Sequence, residues 1–172
     1  MNKKLLETML QKPEKGSLIV LKGVASDNLL ENICMQYCKE DKDCLALNFW
    51  HLREKFDIHS FLEEVNQLTI THLQQLIETK KINKIFIERA DWNVELTPEN
   101  LKQLAVQHNI MIFINGNFNR KQWQNCTNYS DRELYTNFCK EEQQKIIEIR
   151  SIKPELISIY AKFNRETGKI GG

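Results

Sequence analysis

Apolar residues along the chain fall into two alternating patterns, and their succession predicts an architecture. Short continuous apolar runs recur at Ser17–Leu21, Cys44–Phe49, Lys84–Glu88 and Ile110–Ile114. Runs this short, rich in branched residues and without polar alternation, fit strands buried on both faces. Between them apolar positions recur at helical spacing. Leu30, Ile33, Cys34 and Tyr37 follow a Ser26-Asp27-Asn28 cap, and Ile58, Phe61, Leu62 and Val65 follow Asp57. Leu73, Leu76 and Ile77 mark a helix around Thr71–Lys80, and Leu101, Leu104, Ala105 and His108 follow Thr97-Pro98-Glu99. Polar caps and a proline at the first helical position set the starts. Strands alternating with amphipathic helices predict an α/β domain with a mainly parallel sheet covered on both faces. Right-handed crossovers then gather the loops after Leu21, Phe49, Glu88 and Ile114 at one edge, where such sheets bind ligands.

The ends of the chain and one internal stretch depart from this pattern. A helical extension is expected within residues 1–15, ended by Pro13. Residues 117–143 are polar with little periodicity, which predicts a long polar loop with one short helix. Ile146–Arg150 and Leu156–Tyr160 flank a Ser-Ile-Lys-Pro connection and predict a C-terminal antiparallel hairpin, followed by a flexible tail over 164–172. The whole of 1–172 reads as a single domain.

Composition sharpens the functional side. Six glycines are present, and three of them lie at 168, 171 and 172, so little remains for a glycine-rich phosphate cradle. A net charge of +1 removes the case for tight non-specific nucleic-acid binding, although a local basic loop stays open. Five cysteines without a CxxC pair fit a reducing, cytoplasmic setting and no disulfide framework. Cys34, Cys38 and Cys44 lack further ligands at zinc spacing, so no metal is expected. No apolar run reaches membrane-spanning length, so no membrane partner is expected either.

Three segments carry a family resemblance. Leu104–Arg120 joins a helix to a strand that closes in Asn117-Phe118-Asn119-Arg120. Ile157–Gly168 contains Ala161-Lys162-Phe163-Asn164-Arg165 and then Thr167-Gly168, and Lys84–Asp91 is an apolar strand ending in acids. Together with the order of elements, these resemble the RecA-like ATPase domain of replicative hexameric DNA helicases (the DnaB family). There the first segment ends in Gln-Leu-Asn-Arg, the second reads Ala-Lys-Asn-Arg before Thr-Gly, and the third is the Walker B strand, with Asp where this chain has Glu88. The resemblance implies a RecA-like three-layer sandwich and Walker B-like roles for Glu88 and Asp91. It also implies that Lys162 and Arg165 reach a neighbouring subunit, which opens the way to a homo-oligomer.

The departures are as informative. A phosphate-binding loop needs a second Gly and a Gly-Lys-Ser/Thr ending, because backbone N–H groups must face the phosphates. The corresponding loop here runs from Lys22 to Asn28, retains only Gly23, and puts Asp27 where the phosphate would sit. The strand-end Glu that polarises the attacking water in the family is replaced by His51. The expected protein is therefore a catalytically inactive RecA-like domain without a cofactor. It would act as a nucleic-acid- or protein-binding accessory factor in DNA replication or a mobile element. Single-stranded nucleic acid would meet Arg120, Lys121, Trp123, Tyr129 and Arg132, a basic segment with interleaved aromatics. Two alternatives stay open: an active P-loop-type NTPase with an atypical site using Glu88 and a trans Lys162/Arg165 pair, and an unrelated doubly wound ligand-binding domain.

Overall fold

A computed structural model describes residues 14–40, 43–47, 68–138, 146–153, 160–164 and 170–171. Its elements run β1 (Leu18–Gly23), α1 (Ser26–Glu40), β2 (Cys44–Leu47), α2 (Ile70–Lys80), β3 (Lys84–Ile87) and a 3-10 turn (Ala90–Trp92). They continue with α3 (Pro98–His108), β4 (Met111–Asn115), α4 (Arg120–Tyr129), β5 (Arg132–Phe138), β6 (Ile146–Lys153), β7 (Tyr160–Asn164) and β8 (Ile170–Gly171). The eight strands of the described residues form one sheet in the order β2-β3-β4-β1-β5-β6-β7-β8. The pairs from β2 through β5 are parallel, and β6, β7 and β8 extend the sheet as antiparallel strands.

The strands are apolar on both faces because both faces are covered. Leu18 and Val20, with Leu45, Leu47, Ile85, Ile87, Ile112 and Ile114, meet Leu73 and Ile77 of α2, Leu101 and Leu104 of α3, and Cys126 of α4. Ile19 and Leu21, with Phe86 and Phe113, meet Leu29, Leu30, Ile33 and Cys34 of α1 on the opposite face. This is a three-layer α/β arrangement. Helix α3 starts where its Thr97 cap predicts, and α2 and α4 are capped as well. Thr69 and Thr97 accept hydrogen bonds from the backbones of His72 and Asn100, and Asn119 and Gln122 close a reciprocal capping box on α4.

The structure departs from the sequence pattern in three places. Within 117–143, the described part is not a long loop. It forms α4 and then β5, which pairs with the central strand β1. Helix α4 is polar overall and buries little beyond Cys126, and β5 buries Glu133 and Thr136 beside Leu134, so neither carries an apolar run. The hairpin partner of β6 is Tyr160–Asn164 and not a strand ending at Tyr160. Within the tail expected over 164–172, Ile170 and Gly171 pair with β7. The extension at 1–13, the helix expected at 58–65, His51, Arg165 and the side chain of Lys162 lie outside the described residues. No helix among the described residues is long and apolar enough to cross a membrane.

Candidate functional site at the carboxyl edge of the sheet

Strands β1 and β4 are neighbours, yet their outgoing chains part: α1 covers one face of the sheet and α4 the other. Such a divergence opens a crevice beyond the strand ends, the usual ligand position in sheets of this kind. A cleft of about 650 Å³ lies there, within the range of small-molecule sites. Its polar lining includes Ser26, Asp27, Glu88, Arg89, Asn115 and Asn117, and Phe118, Trp123 and Tyr135 supply aromatic walls.

The connection from β1 to α1 contains only Val24 and Ala25. It is clamped onto β5, because the Val24 N–H donates to the Thr136 carbonyl at 3.1 Å. The buried Thr136 hydroxyl reaches back to the carbonyls of Lys22 at 3.1 Å and Val24 at 2.7 Å. Gly23 permits this approach. Its φ is +101°, and a Cβ there would lie 2.1 Å from the Thr136 carbonyl oxygen. Ala25, with φ 58°, is also left-handed. The Val24 amide, already engaged, cannot turn to a phosphate. Asp27 stands exposed in the first turn of α1 and lines the cleft, so its charge further disfavours an anion.

The floor is organised by Asn115. Its side-chain oxygen accepts from the Arg89 N–H at 2.9 Å, and its amide donates to Ser26 Oγ at 3.2 Å. This buried amide thus joins the chain leaving β3, next to Glu88, to the head of α1, next to Asp27. Arg89, at φ 56°, grips Asp91 through two bonds of 3.0 Å, Nε to Oδ1 and Nη2 to Oδ2. Asp91 also accepts the Asn117 N–H at 3.1 Å. Burial opposes ionisation of the Asp91 carboxyl, but the Arg89 guanidinium and the Asn117 amide outweigh it and hold its pKa below the ordinary 3.8. The hydrogen bonds to Asp91 outweigh partial burial, which acts the other way, and hold Arg89 above its usual value. Asp91 is thereby committed to a fork-shaped ion pair and is poorly placed to share a metal with Glu88. Among the described residues no group of three or more His, Cys, Asp or Glu side chains is arranged to hold a metal ion.

Behind the aromatic wall lies an ion pair that sequence reasoning missed. Lys22 is only 2% exposed; its ammonium lies 3.1 Å from Glu133 Oε1 and 4.4 Å from the centroid of the Trp123 ring. The Ser130 hydroxyl donates to the same carboxylate oxygen at 3.2 Å. Burial beside this pair pushes the Cys126 thiol up to about 12.

The five residues expected to meet nucleic acid do not form one patch. Arg120 and Lys121 are exposed at the start of α4, beside the cleft, and Trp123 lines the cleft while packing against the core. Tyr129 ends α4 at the opposite edge of the sheet, and Arg132 there donates to the Asp131 carbonyl at 3.1 Å. Asp131 fastens that edge, accepting from Lys102 at 2.7 Å and from the Leu18 N–H at 2.9 Å. Gly23, Asp27, Glu88 and Trp123 are brought together. Asn115, Arg89, Phe118 and Tyr135 join them without having been foreseen. A signal for Asn115 was present, since a polar residue closing a wholly buried strand needs a partner at the strand end. No protein-family model matches the chain, and no curated protein matches it.

Proposed function

We propose that this chain is a RecA-like domain, of the kind found in replicative hexameric helicases, that has lost hydrolysis and serves as a nucleic-acid- or protein-binding accessory factor. The supporting observation is the connection between β1 and α1, clamped to Thr136 where a phosphate cradle would need room and free amides. Asp27 at the head of α1 and the commitment of Asp91 to Arg89 add to it, because phosphoryl transfer relies on a cradle and a metal held together. The cleft remains and keeps its aromatic and hydrogen-bonding lining, so binding is the activity its chemistry serves. Millimolar Mg-ATP should leave the melting temperature unchanged, whereas a ligand at about 100 times its Kd would stabilise by about 2.7 kcal/mol. An ATP-dependent rise would replace this reading with that of an NTPase with an atypical site.

A further inference from the structure

We infer that an unpaired base of a single-stranded nucleic acid stacks on Tyr135, with its backbone crossing the exposed Arg150 on the face of β5 and β6. The inference rests on the nucleic-acid arm of the reading above and moves its stacking group away from Trp123 and Tyr129.

The alternation of side chains across the sheet defines this surface. Leu134, Phe138 and Ile149 pack on the face that α1 covers. Tyr135, Asn137, Glu148 and Arg150 hold the intervening positions, so they share the opposite face, the one carrying α4. Among the described residues these four belong to neither core cluster. They line a second concavity of about 250 Å³ beside the cleft. An antiparallel extension packed on one face and polar on the other leaves the second face for solvent or a ligand.

Tyr135 differs from the other aromatic candidates. It is half-buried and borders both concavities, the cleft on one hand and the β5–β6 depression on the other. Trp123 is packed against the core with the Lys22 ammonium over its ring, and Tyr129 lies at the opposite edge of the sheet. A tyrosine ring on an open sheet face is a platform for one unpaired base, whatever its identity, because every base has a flat face. Paired bases of a duplex are already stacked and gain nothing from it.

The backbone follows from register and charge. Tyr135 and Arg150 are directly opposite in the antiparallel pair, so their Cβ atoms are about 4.5–5.5 Å apart. From there the guanidinium can meet the phosphate of a nucleotide stacked on the ring. Arg150 is exposed, whereas Glu148 on the same face is half-buried. Arg120 and Lys121, also exposed, stand in the first turn of α4 beside the cleft. Tyr135 precedes Thr136, which pairs with Gly23 at the carboxyl end of β1, so it lies at the same edge. A strand can therefore run from the head of α4 past Tyr135 to Arg150 without placing phosphate beside Asp27.

The test is a set of fluorescence-anisotropy titrations with a labelled mixed-sequence strand of about 20 nucleotides and with its duplex. Tyr135→Leu should weaken single-strand binding about tenfold, within the range of one stacked base, and leave duplex binding unchanged. Tyr135→Phe, which keeps the ring, should bind like the parent, and so should Tyr129→Leu. Arg150→Gln should flatten the plot of log affinity against log salt for the single strand by about 0.7, the slope of one phosphate contact. Circular dichroism melts check that each variant folds; should Tyr135→Leu fail, the salt slope of Arg150→Gln, at an exposed position, decides alone. An unchanged affinity in Tyr135→Leu, equal losses on strand and duplex, or an unchanged slope in Arg150→Gln would overturn the inference and leave a single-strand binder that uses another surface. Absence of binding by the parent would end the nucleic-acid arm together with the inference and leave the protein-partner arm standing.

Discussion

Lys22 and Glu133 form an ion pair with both side chains 2% exposed, and its removal tests how the central strand is tied to β5. At 3.1 Å the attraction is worth about 5 kcal/mol at an effective dielectric near 20, against a desolvation penalty of several kcal/mol per ion. The pair therefore contributes little net stability, but either half alone is costly. Lys22→Met leaves Glu133 buried with only the Ser130 hydroxyl, and it also removes the cation from the Trp123 ring. The expected loss is about 3–5 kcal/mol, and Glu133→Gln should lose a comparable amount by leaving the ammonium uncompensated. The combined Lys22→Met/Glu133→Leu change removes both charges and orphans only the Ser130 hydroxyl, a penalty of about 1–3 kcal/mol that new apolar packing offsets. The double variant should thus lie within about 2 kcal/mol of the parent, so the two changes couple strongly. Urea unfolding followed by far-UV circular dichroism measures this without relying on Trp123 emission, which the substitutions themselves would alter. Single losses below about 1 kcal/mol, or a double loss equal to the sum of the singles, would refute the reasoning.

Further outcomes follow from the loops around the cleft. Gly23→Ala should cost more than about 2 kcal/mol in urea, since it combines left-handed backbone strain with a collision against a carbonyl oxygen; a cost under about 1 kcal/mol would mean that the Thr136 clamp yields. The folded pKa of Asp91 is held below its unfolded value, so its ion pair stabilises fully above about pH 4, and that stability disappears as pH falls through the folded pKa. The urea-midpoint gap between the parent and Asp91→Asn should accordingly shrink between neutral pH and pH values near 2, and a pH-independent gap would contradict the assignment. Cys126, with its thiol pushed up to about 12, should resist alkylation in the native state at pH 8 and react once unfolded; mass mapping that finds it modified in the folded protein would show that α4 opens readily.

The fold was legible where burial is symmetric. The strands at 18–23, 44–47, 84–87 and 111–115 are covered on both faces, so their sequences are continuous apolar runs that admit few alternatives. The helix at 98–108 announces itself through Thr97 and Pro98. The segment after Asn115 was not legible, because its burial is carried by polar groups. Glu133 and Thr136 are almost fully buried, satisfied by Lys22, Ser130 and the backbone of the β1 loop, and none of these pairings leaves an apolar period. Lys22 was obscured for the same reason. It shares a sheet face with Leu18 and Val20, but its charge invites a loop assignment unless the partner 111 residues away is known. At the site, the family resemblance singles out Gly23, Asp27 and Glu88, and the interleaving of basic and aromatic residues singles out Trp123. Asn115 and Arg89 required the hydrogen bonds that cross from one loop to the next.

The cleft and the clamp are two consequences of one short connection. With only Val24 and Ala25 between β1 and α1, the head of the helix is drawn down towards the sheet, and Thr136 closes against the turn. The volume that a longer loop would fill above β4 is left open to Asn115, Gly116 and the aromatic wall. Gly116 is needed for that opening, since a Cβ there would lie 2.7 Å from Asp91 Oδ1 and 2.8 Å from the Phe118 ring. The chemistry of the edge follows: the Val24 amide is spent on the β5 backbone, and Asp27 and Glu88 line the space. Such an edge disfavours phosphate, because Asp27 stands at the head of α1. Anion binding at this edge would therefore take more than replacing Asp27, because the Val24 amide must also be released from Thr136.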